Sequence, residues 1–172
     1  MDLPFRFTRE STLRVDRDGQ LWHDGAPILN PNLAQGLARW IVFDPETQRY
    51  MMRNAIDWCF ITVDATPLMI TAVTLTPAGP RVQLSDGTAE PLVIARVRLT
   101  PEGQVYAWVH EGALLARMTR SAAFTFLDAV SLDPETDAVT LDFGGQRHTI
   151  VQIEASQPLP PTFDGVLSEP SL

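Results

Sequence analysis

The feature that most constrains what this chain can fold into is that it repeats itself. Leu13-Arg14-Val15, a turn, Gly19-Gln20-Leu21-Trp22 and then Asp24-Gly25-Ala26 form the first copy. Val97-Arg98-Leu99, a turn, Gly103-Gln104-Val105-Tyr106 and then Glu111-Gly112-Ala113 answer it. Each run leads into a helical segment and then into one shared tetrapeptide, Asp44-Pro45-Glu46-Thr47 and Asp133-Pro134-Glu135-Thr136. Self-similarity of this kind marks a structural unit used twice. The offset grows from 84 residues at Gly19/Gly103 to 87 at Gly25/Gly112 and 89 at Asp44/Asp133, a drift that small loop insertions explain at little entropic cost. Any single match has a chance reading, because Gly-Gln and Asp-Pro are common turn chemistry. The collinear order over most of the chain carries the duplication.

The expected architecture is therefore α+β, mostly β: a duplicated hairpin–helix–hairpin unit. Residues 1–66 form the first repeat, and residues 67–155 form the second, which has gained strands between Leu68 and Leu92. Residues 156–172, rich in Pro, Ser and acid, are expected to be a flexible tail. In the first repeat Asp18-Gly19 suits the backbone of a tight hairpin turn. Asn30 is placed as a helix N-cap with Pro31 in the first helical position. Leu33, Leu37, Trp40 and Ile41 then form one apolar stripe, and the helix is expected to stop near Phe43, before Asp44-Pro45. Strands follow over Gln48–Arg53 and Asp57–Asp64. In the second repeat Leu68–Thr76, Leu92–Thr100 and Gln104–His110 read as strands, Ser121–Val130 as a helix with Thr119 as its cap, and Ala138–Phe143 with Arg147–Glu154 as a hairpin about Gly144-Gly145.

Charge narrows the function. With 13 basic and 21 acidic side chains the net charge is −8, a surface that repels nucleic-acid polymers and anionic membranes while leaving room for a local anion pocket. The amino-terminal residues lack the basic start and apolar core of a secretory signal, and the longest apolar stretch is far short of the roughly 20 residues a spanning helix needs. Cys59 is the only cysteine, so no internal disulfide forms and a cytoplasmic setting is expected.

No catalytic constellation assembles. His23, His110 and His148 are scattered, come without cysteine partners and lack a second ligand-type residue at the i+2 or i+4 spacing, which favours surface or strand-end roles over a metal site. Cys59 lies between Trp58 and Phe60 in an apolar strand, where a thiol is inert. Asp18, Asp24, Asp44, Asp86 and Asp133 sit beside Gly or Pro, where a carboxylate shapes a turn by accepting from nearby backbone N–H groups. Neither a nucleophile elbow nor a phosphate loop is present, and no cofactor is implied. A hydrolase built from scattered carboxylates would require two of them to converge in one pocket. Aromatic and arginine side chains make better candidates. Trp22, Arg53, Trp58, Tyr106 and Arg117 combine stacking surfaces with guanidinium forks suited to a nucleotide-like or other small anionic ligand. Their competing reading is structural, as core rings with snorkelling arginines.

Three segments resemble a known family. Asp16 to Ile28, with Trp22-His23 and Asp24-Gly25-Ala26-Pro27-Ile28, is similar to the opening of the bacterial domain of unknown function 1285. Asp57 to Ala65 and Leu115 to Ala122 resemble its second and third markers. The chain departs from the pattern at Ala65-Thr66-Pro67-Leu68, where the family tends to Ala-Pro-Phe, and at Phe143-Gly144-Gly145, where it tends to a Trp-Ser-Gly-Gly-like segment. The resemblance implies a duplicated architecture whose second half looks like a pleckstrin-homology barrel, a ligand site between the halves, a part in signalling and no enzymatic activity. The alternative is a protein–protein interaction or scaffold protein, in which apolar strand edges pair with a partner or a second copy.

Overall fold

The computed structural model describes residues 9–165. The chain divides into two compact units, Met1–Pro67 and Leu68–Leu172.

In the first unit β1 (Glu10–Val15), β2 (Leu21–His23) and β3 (Ala26–Pro27) form a meander, followed by helix α1 (Pro31–Ala38) and strands β4 (Ile41–Asp44), β5 (Arg49–Arg53) and β6 (Trp58–Val63). They make one six-stranded sheet in the order β3-β2-β1-β6-β5-β4. All neighbours are antiparallel except β1 and β6, which run parallel with Val15 opposite Val63. Asn30 caps α1 by accepting from the N–H groups of Asn32 and Leu33, with Pro31 opening the helix. The helix ends at Ala38 rather than near Phe43. Ile41–Asp44 instead pairs with Arg49–Met52 across the Asp44-Pro45-Glu46-Thr47 turn, and strand pairing there overrides the helical periodicity of Trp40 and Ile41. Val15, Leu21, Ala38, Ile41, Met52 and Ile61 form the core of this unit.

The second unit opens with β7 (Leu68–Thr76), β8 (Gly79–Leu84) and β9 (Ala89–Pro91). It continues through β10 (Val97–Leu99), β11 (Val105–Val109), β12 (Leu114–Met118), helix α2 (Arg120–Asp128), β13 (Ser131–Leu132), β14 (Val139–Phe143) and β15 (Gln146–Gln152). Its nine strands follow the order β13-β14-β15-β10-β11-β12-β7-β8-β9 and curl into a half-barrel. The end strands β13 and β9 do not pair, so the barrel-like sheet is open along one side. Thr119 caps α2 as the sequence suggests, and Phe126 from this helix is fully buried. The strand expected over Leu92–Thr100 is shorter: Ile94–Arg96 is a 3-10 turn, and only Val97–Leu99 enters the sheet. Leu68, Ile70, Val97, Val105, Ala107, Trp108, Ala116 and Ile150 line this core.

The repeat is visible in the connectivity. Within the second sheet, β12-β11-β10-β15-β14-β13 reproduces β3-β2-β1-β6-β5-β4, and β7–β9 extend it beyond β12. β10 pairs antiparallel with β11 and parallel with β15, as β1 does with β2 and β6. The match extends to single bonds. Asp16 N–H donates to Gln20 O and Gly19 N–H to Asp16 O, and Thr100, Gln104 and Gly103 repeat both bonds. Asp44 accepts from the N–H groups of Glu46 and Thr47 and Asp133 from those of Glu135 and Thr136, the last two residues of each tetrapeptide, and Gln48 and Asp137 follow at φ +57° and +55°.

The tail expected from residue 156 onward divides. Leu159 to Phe163 are half-buried against the second unit: Trp108 Nε1 donates to Pro160 O at 2.9 Å and Phe163 N–H to Gly112 O at 2.8 Å. Residues 166–172 lie outside the described residues. No helix of the described residues is long and apolar enough to cross a membrane.

Candidate functional site

Of the five side chains singled out from sequence, Trp22, Arg53 and Trp58 belong to the first unit and Tyr106 and Arg117 to the second. Trp22 on β2 faces Arg14 on β1; its Nε1 donates to Asp16 Oδ2 at 2.7 Å, and the Arg14 guanidinium lies 5.5 Å from its ring. Arg53 and Trp58 are register partners on β5 and β6. Trp58 meets Phe60 edge to face at 5.2 Å and carries the Arg9 guanidinium 4.7 Å over its ring, while Arg9 also bonds Asp57. Tyr106 and Arg117 are register partners on β11 and β12, and the Tyr106 hydroxyl donates to Gln104 at 2.7 Å. The structure thus pairs Arg53 with Trp58 and Tyr106 with Arg117. Another ring–arginine pair is buried on both sides, with Arg98 3% exposed. Trp108 is buried, and Arg98 stacks 5.1 Å from it while donating to the carbonyls of Ala95 and Val97.

A more organised cluster lies in the second unit around a residue the sequence left as an ordinary strand-end histidine. Asp86 sits at the β8–β9 turn, where it accepts from the N–H and hydroxyl of Thr88 at 2.9 and 2.6 Å. That is the turn role expected of it. Its other oxygen, however, meets His110 Nε2 at 2.7 Å, and the carboxylate is 1% exposed. His110 Nδ1 faces Glu90 of β9 at 3.1 Å, and the His110 backbone N–H also points at the Glu90 carboxylate. The imidazole is clamped between two carboxylates from one hairpin.

The backbone supports the clamp. β11 ends at Val109, and His110 and Glu111 both take left-handed conformations, φ +51° and +59°. Two consecutive non-glycine residues there cost on the order of 1–3 kcal/mol each and persist only where the surroundings hold them. Gly112 follows at φ +94° and completes the reversal into β12. The bond from Asp86 raises the His110 pKa, against the opposing effect of burial, and the charges of Asp86 and Glu90 add to the rise. Burial pushes Asp86 upward, but the bonds from His110 and Thr88 outweigh it and the net shift is downward. Both shifts favour the ion pair. Both ring nitrogens are taken up by carboxylate oxygens, Nε2 by Asp86 and Nδ1 by Glu90. Among the described residues, no group of three or more His, Cys, Asp and Glu side chains is arranged to hold a metal.

Beside the clamp lies an open cleft of about 540 Å³, lined by Glu90, Pro91, Val93, Arg96, His110 and Glu111. It contains none of the five residues proposed from sequence. Arg96 reaches it because the 3-10 turn at Ile94–Arg96 lifts the chain out of the sheet just before β10. Arg96 and Glu111 therefore present opposite charges at one mouth, with Val93 and Pro91 as an apolar wall. No local motif announces this grouping. Asp86 from the β8–β9 turn, Glu90 from β9, Arg96 from the 3-10 turn before β10 and Glu111 from the reversal after β11 come from four separate stretches, and only the strand register brings them together. A second cleft, of about 530 Å³ at the β14–β15 turn, is lined by Asp142, Phe143, Gly145, Gln146 and Arg147, but there Arg147 is already paired with Asp142 at 3.0 Å.

No family model matches this chain, and neither does any curated protein. Two solved structures are similar in fold. A DUF1285 family protein from Silicibacter pomeroyi DSS-3 superposes with a TM-score of 0.66 at 16% identity, over 83% of this chain and 80% of its own. A DUF1285 family protein from Shewanella baltica OS155 does so with a TM-score of 0.59 at 17% identity, over 70% of this chain and 94% of its own. The chain shares their fold.

Proposed function

We propose that this chain is a DUF1285-type protein acting as a small-ligand-binding regulatory or signalling module, without catalytic activity of its own, and that its ligand is a nucleotide-like molecule taken up in the cleft beside His110. The fold of the two DUF1285 structures, together with the three ordered segments that resemble that family, supports the family reading. The observation that carries the site is the clamp: strained backbone at His110 and Glu111, held by Asp86 and Glu90 at the edge of an open cleft. Strain of this kind concentrates where a surface is preorganised for a ligand.

The lining determines the chemistry. Arg96 offers a fork for one phosphate, and Glu111 offers acceptors for ribose hydroxyls or a base amino group. Two carboxylates flank that one guanidinium, so a monophosphate is favoured over a triphosphate, whose additional charges they would repel. A cytoplasmic setting forms part of this proposal, since such metabolites are abundant there.

A thermal-shift series tests it. Adenosine and guanosine monophosphates should raise the melting temperature by mass action, and Arg96→Ala should abolish the rise. A flat response across nucleoside monophosphates and other phosphorylated metabolites would overturn it. The scaffold reading has one observation in its favour. Leu29, Ile56 and Leu33 of the first unit are 79%, 94% and 53% exposed. Light scattering that shows a concentration-dependent dimer, reversed by Ile56→Ser, would favour that reading.

A further inference from the structure

The segment that follows β15 binds the second unit in the manner of a peptide ligand. Pro158, Pro160 and Pro161 fix the backbone φ of three of its residues near −65°, so the segment is extended before it docks and loses little entropy in doing so. Two directional bonds anchor Pro160 and Phe163. Trp108 Nε1 donates to the Pro160 carbonyl at 2.9 Å, and the Phe163 N–H donates to the Gly112 carbonyl at 2.8 Å. Between those anchors the Phe163 ring settles 5.3 Å from the Trp108 ring, with the Arg98 and Arg96 guanidinium groups 5.9 and 5.8 Å from it. Gly112 leaves room for it: a Cβ there would stand 3.1 Å from Phe163 Cβ. The surface thus provides an indole donor, a carbonyl acceptor and an aromatic slot lined with cations. These are the parts by which proline-rich segments are recognised. Ser156, Gln157 and Pro158, which tether the segment to β15, are exposed.

We propose that the groove over Trp108, Gly112 and Arg98 is a recognition site for extended proline-rich peptides that end on an aromatic residue, and that residues 158–163 of this chain occupy it as a displaceable internal ligand. The occupant it fits is a Pro-Pro-x-Phe segment of a partner protein. Attached through a tether of a few residues, the internal copy competes at an effective concentration on the order of millimolar. A partner peptide therefore binds appreciably only when the internal copy is weakened or held elsewhere. This inference does not rest on the nucleotide reading; the two sites share Arg96, and the test below leaves Arg96 in place.

The test is fluorescence anisotropy with a labelled peptide carrying residues 157–165, titrated with the full chain and with full-length Phe163→Ala. The expected result is binding at least tenfold tighter to the variant than to the unaltered chain, lost when the peptide's own Phe is replaced by Ala. Equal binding to both proteins, or none to a variant that keeps its circular dichroism, would overturn the proposal. A second measurement needs no variant. Hydrogen exchange in the unaltered chain should proceed at least 100-fold faster at the Phe163 amide than at Ala107 in the adjacent strand. Equal rates would show that the segment opens only with the whole unit, and would overturn the proposal as well.

Discussion

Replacing Asp86 by Asn isolates the charge in the His110 clamp while keeping its shape. The amide keeps an oxygen for the two Thr88 bonds, so the β8–β9 turn survives. What is lost is the anionic partner of the 2.7 Å contact to His110 Nε2. A hydrogen bond to a charged group contributes about 1.5–3 kcal/mol. The His110 side chain is 32% exposed and keeps Glu90, so screening places the loss near the lower end, about 1.5–2 kcal/mol. For a unit of about 100 residues that is a drop of roughly 6–16 °C in its melting temperature. The decisive assay is a double-mutant cycle with Asp86→Asn, His110→Gln and the pair, read by urea unfolding under circular dichroism. The coupling expected is about 1–2 kcal/mol, the range for residues in direct contact. Additivity to within about 0.3 kcal/mol would refute the reasoning, because the two side chains would then not sense one another.

Other consequences follow from the same geometry. His110 titrates above its ordinary 6.5 and Asp86 below its ordinary 3.8. The histidine's contribution is complete below pH 6.5 and fades as pH rises through its folded value; the aspartate's is complete above 3.8 and fades as pH falls through its own. Stability should therefore decline as pH rises above 6.5 in the unaltered chain and less so in His110→Gln, as pH-resolved melting curves will show. Gly79→Ala should destabilise the second unit by about 1–3 kcal/mol, since the new methyl would sit 2.8 Å from the Phe143 ring at φ +122°, and chemical denaturation reads this directly. Asn30→Ala removes the cap of α1 and should cost about 1 kcal/mol, measurable in the same way on the first unit.

Much of the architecture was legible because duplication repeats turn chemistry. Gly19 and Gly103, and the two Asp-Pro-Glu-Thr turns, sit at equivalent places in equivalent sheets, and each makes the same local bonds. Local chemistry of this kind depends on neighbours in sequence, so sequence reports it well. Helix α1 was extended too far because Trp40 and Ile41 continue an apolar period, while their conformation is set by the pairing of Ile41–Asp44 with a strand that comes later. The docked stretch around Phe163 escaped notice for a similar reason. Its proline-rich composition reads as tail, and its anchors, Trp108 and Gly112, lie some fifty residues away. The clamp was hidden for want of any local sign: Asp86 reads as a turn residue and is one, and its second oxygen finds His110 only through strand register.

Ligand binding is proposed for the cleft beside His110. It is tested most directly by titrating adenosine monophosphate into the isotope-labelled full chain and following its backbone amides by nuclear magnetic resonance. The account predicts saturable shifts concentrated at Val93–Val97 and Val109–Gly112. Shifts centred instead on Trp22, Arg53 and Trp58, or none at all, would contradict it.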